Sequence, residues 1–435
     1  MVLKKALRSG DPRAARQLLA HSVALGHERL AVRRYFAARC LGVDDLEEFR
    51  PFCTEAARHF APGALLSAAR AVAGRLQVAC DIHCIVSELL TAGIPLQLPY
   101  GETWPLLKSS PAYCGTRVSL LGRIEIGHGP WFGPGSVVRA DGHFVHIGND
   151  FRIGERSTVH ISHNLLPTVI GSRVSVGRDA VVHACIVGDN CVIEDGVIIL
   201  DGSCVENGVL VEAGSTVYPR SNLKAGLIYS GSPAKPIREL EDQELKLRRM
   251  FVSDAIFLSI FNNAAADCFE PVSLGGHVFV ATTALLKGNV EAGKNVGIFF
   301  GCDINAADFK VEIAENTNIQ DNTIIEAAAG KIEIGANTTI GHNVLLRSCR
   351  IGDSSLVGIG SKLANGTIIE DDVLLAAGST TMPGQQLERG WLWGGQPARP
   401  ISMLDSAKRS MMSATIEQYC EYGAQFKTLQ RARMS

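Results

Sequence analysis

Aromatic residues are scarce, at 6% of the chain, and the 42 Lys+Arg and 44 Asp+Glu leave a net charge of only −2. A core built on bulky rings is therefore unlooked for, and nothing in the charge balance points to nucleic acid or an anionic membrane surface. Long apolar runs are missing too. None approaches the roughly 18 to 20 residues that span a bilayer, so no membrane span is expected. The twelve cysteines form no secreted-style framework. They lie singly in apolar segments such as Val182-His183-Ala184-Cys185, with no secretory signal before them. Free buried thiols in a reducing compartment follow, and the cytoplasm is the expected location. The tightest cluster, Cys80-Asp81-Ile82-His83-Cys84, has metal-ligand residue types on one helical face. Its apolar neighbours Val78, Ile85 and Val86 favour a buried face instead.

The first forty residues hold nine Lys/Arg against Asp11 and Glu28. That composition suits an organellar transit peptide, which would place the chain in the mitochondrial matrix. The same pattern continues without a processing site, so an amphipathic helical region is the preferred reading. Residues 1–92 are Ala-, Leu- and Arg-rich with helical spacing. A Pro-rich stretch, 93–111, is read as a linker.

After it the period changes. Val187, Ile193, Ile199, Val205, Val211, Val217 and Leu223 recur every six residues. Ile351, Val357, Leu363, Ile369, Leu375, Thr381 and Leu387 repeat the pattern. A strict six-residue period fits neither a 3.6-residue helix nor a simple alternating strand. It predicts a β-helix in which each hexad forms one flat side and three hexads form one triangular coil. Coils bury apolar atoms only against neighbouring coils, so each stack needs a cap. Gly231-Ser232-Pro233-Ala234-Lys235-Pro236-Ile237 and Gly395-Gln396-Pro397-Ala398-Arg399-Pro400-Ile401 each lead into a helical run, the first read as starting at Arg238. Adding 164 carries Ile170 to Ile334, Val187 to Ile351 and Pro233 to Pro397; farther upstream the offset is 166. The chain is thus a duplication. The predicted fold is mainly β: two left-handed parallel β-helix domains, each capped by a C-terminal α-helix, after a helical N-terminal region. The domains are placed at 112–262 and 275–435, with a connector at 263–274.

Val137-Val138-Arg139-Ala140-Asp141, Thr317-Asn318-Ile319-Gln320-Asp321, Thr339-Ile340-Gly341-His342-Asn343 and the two Pro-Ala-Lys/Arg caps resemble the γ-class carbonic anhydrases of the hexapeptide-repeat superfamily. The resemblance covers both copies and not the N-terminal region. It implies three metal-binding histidines per site, a site shared between two neighbouring domains, and trimer-like assembly. Mapped onto this chain, the first copy offers His160, Arg178 and His183, and the second offers Glu326, His342 and Arg347. Neither copy has a full set, and arginine cannot serve as a deprotonated ligand.

Counting hexads resolves the exchange. His160 and His183 fall on the third side of the first copy, and Gln320 and His342 on the second side of the second copy. Docking those two sides assembles His160, His183 and His342 with an open fourth position, as a catalytic zinc requires. Iron or cobalt would suit the donors equally. The resemblance implies that Gln320 hydrogen-bonds the metal-bound water and that Arg139 holds the interface, together with Asp141 and Asp321. The reverse interface would gather Arg178, Glu326 and Arg347 as an ion-pair cluster. His143, His146 and His163 are read as surface histidines, one of which could shuttle protons.

The activity implied is metal-dependent hydration of CO2 to bicarbonate by one asymmetric site. A catalytically inactive scaffold or assembly subunit and a hexapeptide-repeat acyltransferase are the alternatives. A closed ring of three cannot alternate two kinds of domain, so homo- or hetero-oligomers through β-helix faces, including a third β-helix protein, are the expected partners. The reading requires the two copies to be lateral neighbours.

Overall fold

The computed structural model describes residues 9–43, 45–46, 48–57, 62–78, 80, 82–87, 89, 94–241, 243–250, 252 and 273–434. It divides into two compact units, Met1–Gly93 and Ile94–Ser435. No described helix is long and apolar enough to cross a membrane.

The first unit is helical, with helices Pro12–Ala24, Glu28–Cys40, Arg50–Ala57, Pro62–Leu76 and Ile82–Ser87. Asp11 caps the first by accepting from the Arg13 amide at 2.9 Å, and Pro12 at its start needs no hydrogen-bond partner. Leu19, Phe36 and Leu65 are fully buried, as the helical spacing requires. Within this core Arg34 donates to the Leu18 carbonyl at 2.7 Å. The side chains of His83 and Cys84 lie outside the described residues. Cys80 approaches Cys40, with the sulfurs 3.1 Å apart.

In the second unit, each copy is a three-sided parallel β-helix. Along one side of the first copy Val159, Val182, Ile199 and Val217 register with one another on successive coils, and each is buried. Along the second side of the second copy Ile340, Val357, Leu375 and Trp393 do the same. These are the hexad aliphatics. Each fully buried one contributes on the order of 2 kcal/mol, and only because the next coil covers it.

The domain limits differ from those expected. The proline-rich stretch is not a free linker: Leu96–Leu98 and Leu106–Leu107 pair with Ser119–Ile126 and begin the first β-helix. Ser273–Leu274 already belongs to the second, pairing with Glu291–Ala292. Residues 263–272 of the expected connector lie outside the described residues. The caps also open differently. Lys235–Glu239 folds back antiparallel on Leu227–Ser230, and Ala398–Met403 on Trp391–Gly395. Arg238 is therefore in a strand, and helix follows only at 244–250. The prolines at 236 and 400 explain this, because they remove the donors a helix would need there. The second cap continues into a long helix, Ser406–Met434.

The two β-helices lie side by side. Thr158 donates to Asn343 Oδ1 at 2.7 Å and accepts from Asn322 Nδ2 at 2.9 Å. Arg117 donates to the carbonyls of Thr283 and Gly301, at 3.0 and 3.1 Å. Val181, Ile198 and Leu200 pack against Ile359 and Ala377. Approach is close enough that a Cβ on Gly360 (φ +67°) would lie 2.2 Å from Ile198 Cδ1. Tyr419, Tyr422 and Phe426 of the C-terminal helix join a cluster drawn from both copies, including Leu121, Val137 and Phe299.

Candidate metal centre

His160 and His183 end neighbouring strands, Thr158–His160 and Val181–His183, and pair directly in register. His342 follows strand Thr339–Ile340 of the other copy. The lateral contact brings the three rings together, with centroids 4.7 to 5.8 Å apart. One ring nitrogen from each lies within 4.8 Å of the others, in the sole group of this kind among the described residues. All three side chains are buried.

A carboxylate stands behind each imidazole. Asp141 Oδ1 is 3.0 Å from His160 Nε2, Asp201 Oδ1 is 2.6 Å from His183 Nδ1, and Asp321 Oδ2 is 3.2 Å from His342 Nδ1. The contact at His342 is close but off the hydrogen-bond line. His160 Nε2 lies 3.0 Å from Arg139 Nε as well as from Asp141, and only the tautomer that donates to Asp141 leaves Nδ1 unprotonated. With the carboxylate-facing nitrogens protonated, the free lone pairs are His160 Nδ1, His183 Nε2 and His342 Nε2. The first two are 3.3 Å apart, and the third meets the Tyr419 hydroxyl at 3.2 Å.

Arg139 ties the copies together and is wholly buried. Its guanidinium lies 3.1 Å from Asp141 of its own copy and 2.9 Å from Asp321 of the other, and it donates to the Tyr419 hydroxyl at 2.8 Å. Burial alone would lower its pKa, but Asp141 and Asp321 outweigh this and hold it charged. Burial likewise works to raise the Asp321 pKa, yet Arg139 and His342 bring it below the usual carboxylate range. The histidines go the other way. Burial, reinforced by Arg139, pushes His160 well below its ordinary value. Burial brings His342 down to about 4, against the opposing pull of Asp321. Both are neutral imidazoles near pH 7, the form a metal requires.

Gln320 is buried beside the same cleft and donates to Asn318 Oδ1 at 3.2 Å. The predicted reverse cluster belongs to an interface that a single chain does not contain. Glu326 and Arg347 pair at 3.1 Å, but Arg178 pairs instead with Asp195, at 2.7 Å, one coil on in its own copy. The reason is that Arg178 lies on the first copy's second side and the other two on the second copy's third side; these sides do not face each other within the chain. His163 is not a plain surface histidine: it is half-buried, with Nδ1 2.5 Å from the Tyr422 hydroxyl. His146 lies 3.7 Å from Glu125, and His143 Nδ1 accepts from the Phe144 amide. Sequence reasoning missed Asp201, Tyr419 and Tyr422. Asp201 carried a usable signal, lying 18 residues after His183 and so one coil on along the same side.

The chain is similar to a probable carbonic anhydrase of Methanocaldococcus jannaschii, 38% identical over 129 residues that cover 29% of this chain and 79% of that protein. The chain belongs to the γ-carbonic anhydrase family. It is also similar to the mitochondrial gamma carbonic anhydrase 2 of Arabidopsis thaliana, 33% identical over 32% of this chain and 52% of that one. The chain spans about half the length of that curated relative. Among solved structures, a hexapeptide transferase family protein from Anaplasma phagocytophilum is 32% identical over 36% of this chain and 92% of its own, with a TM-score of 0.35. No protein-family model matches the chain. The mainly β, hexapeptide-repeat fold is the one this family's members were expected to bring.

Proposed function

We propose that the chain is a metal-dependent hydratase of the carbonic anhydrase type, converting CO2 and water to bicarbonate and a proton at one asymmetric site per chain. The observation that carries this reading is the convergence of three imidazole donors from two copies, each backed by its own carboxylate. Carboxylate-backed histidines with a fixed tautomer are the usual second layer of a metal site.

The donors fit a divalent ion in spacing and in charge. Tetrahedral ligands at about 2.0–2.1 Å from zinc stand roughly 3.3 Å apart, the separation already found between His160 Nδ1 and His183 Nε2. His342 Nε2 completes the set once the Tyr419 hydroxyl, which donates to its lone pair, releases it. Asp141, Asp201 and Asp321 carry three negative charges against the single positive charge of Arg139, and a divalent cation balances the remainder. Zinc suits such donors, as do iron and cobalt.

A divalent ion held there supplies the Lewis acidity that makes water a nucleophile near neutral pH. The chain's own residues do the rest. Asp141 and Asp201 hold His160 and His183 in the ligating tautomer, and Asp321 sets a negative charge beside His342 Nδ1. Arg139 favours the ionised form of Asp321, pairs with Asp141, and locks the two copies at the spacing the site needs. Gln320, oriented by Asn318, presents its amide to the reacting water and CO2. Leu356 and Ile359 line the adjoining wall of the cleft and favour an apolar gas over bulk water.

The partner proposed for the outer faces is a third β-helix protein. It would meet the first copy's second side, with Arg178 and Asp195, and the second copy's third side, with Glu326 and Arg347. Stopped-flow CO2 hydration with a pH indicator tests the activity. Metal-replete protein should accelerate hydration, and Gln320→Ala should lower turnover with metal retained. Metal-replete protein that leaves the uncatalysed rate unchanged would favour the scaffold role instead.

A further inference from the structure

The cleft over the three histidines is far larger than CO2 requires. Its volume is about 700 Å³, within the range of sites that enclose a drug-sized molecule. Its polarity is one-sided. His160, His183, His342, Gln320 and Asp201 sit at one end. Away from them the wall is a ladder on the second copy's second side, Thr339, Leu356, Leu374 and Leu392, paired in register on four successive coils. At about 4.8 Å per coil the ladder runs roughly 14 Å. Met411 and Ala414 of the C-terminal helix face it across the cleft, interrupted by Thr415 and Gln418.

The first copy shows what a filled version looks like. Its equivalent ladder, Ser175, Val192, Leu210 and Ile228, is in the same register. There Leu240, Leu245 and Val252 pack onto Val192, Leu210 and Ile228. In the second copy Leu404 and Met412 cover Leu374, with Leu356 and Leu392 packed against them, yet all three leucines of the ladder also line the cleft.

We propose that this cleft binds an unbranched acyl chain of about eight carbons, laid along Leu356, Leu374 and Leu392 with its carbonyl head at the histidine end. A mostly apolar wall that runs along successive coils, with polar groups at one end, suits an extended aliphatic tail better than a charged chain. The head is a neutral carbonyl, as in an ester, thioester or amide. The placement of the head rests on the metal-site reading; the binding of the tail does not.

Isothermal titration with octanamide and butanamide tests this, with metal content of the same samples measured by plasma mass spectrometry. Burial of each added methylene should tighten binding about four-fold, so octanamide should bind on the order of 100-fold more tightly than butanamide. Ala414→Phe, at an exposed helix position that faces the cleft, should abolish that chain-length dependence and leave metal content unchanged. Equal affinities, no measurable binding of either amide, or Ala414→Phe binding like wild type would each overturn the proposal. Chain-length dependence in protein that holds no metal would keep the tail site and remove the metal centre. Metal-replete protein without chain-length dependence would do the reverse.

Discussion

Replacing Arg139 with Met should destabilise the β-helix unit severely, because the guanidinium is the sole cation set between two fully buried carboxylates from different copies. Asp141 and Asp321 are both wholly inaccessible, and each lies about one hydrogen-bond length from Arg139. Methionine keeps most of the volume and leaves both carboxylates unpaired in a low-dielectric interior. Breaking a buried pair in this way costs about 3–5 kcal/mol. The cation also lies 5.2 Å from the ring centroids of Phe299 and Tyr419, and loss of those contacts adds to the penalty. At no more than about 2 °C per kcal/mol for a unit this much larger than 200 residues, thermal unfolding should move down by roughly 5–10 °C. Scanning fluorimetry of the full chain, treated with chelator so that metal does not enter, reads the shift. A triple variant that adds Asp141→Asn and Asp321→Asn should recover at least half of it. If Arg139→Met unfolds within about 2 °C of wild type, the two carboxylates do not need Arg139 as their counter-charge and the proposed interface electrostatics are wrong.

Other outcomes follow from the same geometry. In chelator-treated protein His342 titrates at about 4 when folded against an ordinary value of 6.5. The unfolded chain therefore takes up a proton first as pH falls below 6.5, and stability is lost through the window down to about 4. The loss is up to about 3 kcal/mol. Urea midpoints at pH 7.5 and 5.0 measure this, and a midpoint that rises on acidification contradicts it. Asp201→Ala removes the acceptor that fixes the His183 tautomer, so metal affinity should fall about 10- to 100-fold in a chelator competition while the fold persists. An unchanged affinity would deny Asp201 that role. Gly360→Val would force a side chain into Ile198 at a left-handed backbone position. It should cost about 2–3 kcal/mol and loosen the lateral contact between copies, seen as faster proteolysis.

Much of this molecule is legible in its sequence, for identifiable reasons. A β-helix repeats one local rule, so the six-residue period of Val187 through Leu223 reports the fold directly. Side counting follows from the same period, and it placed His160 and His183 on one face and His342 on another before any distance was known. Asp201 obeys the coil arithmetic as well. Other features do not obey any local rule. Tyr419 and Tyr422 sit on a helix whose landing place is set by packing against both copies, so no spacing in the helix reveals their contacts with Arg139, Asp141 and His163. The short strands Leu96–Leu98 and Leu106–Leu107 hide in a proline-rich stretch because only the neighbouring coil, Ser119–Ile126, makes them strands. The Arg178–Asp195 pair was unseen for a related reason: the count shows which side a residue occupies, but not which side chain in the next coil it meets.

Everything proposed about the chemistry depends on one ion per chain at the contact of the two copies. Metal content of the purified full chain, by plasma mass spectrometry against protein concentration, measures this directly. About one divalent ion per chain in wild type and none in His342→Ala, with the variant still folded by circular dichroism, is the predicted result. Wild-type protein that holds no metal after equilibration with zinc, iron(II) and cobalt(II) would contradict it.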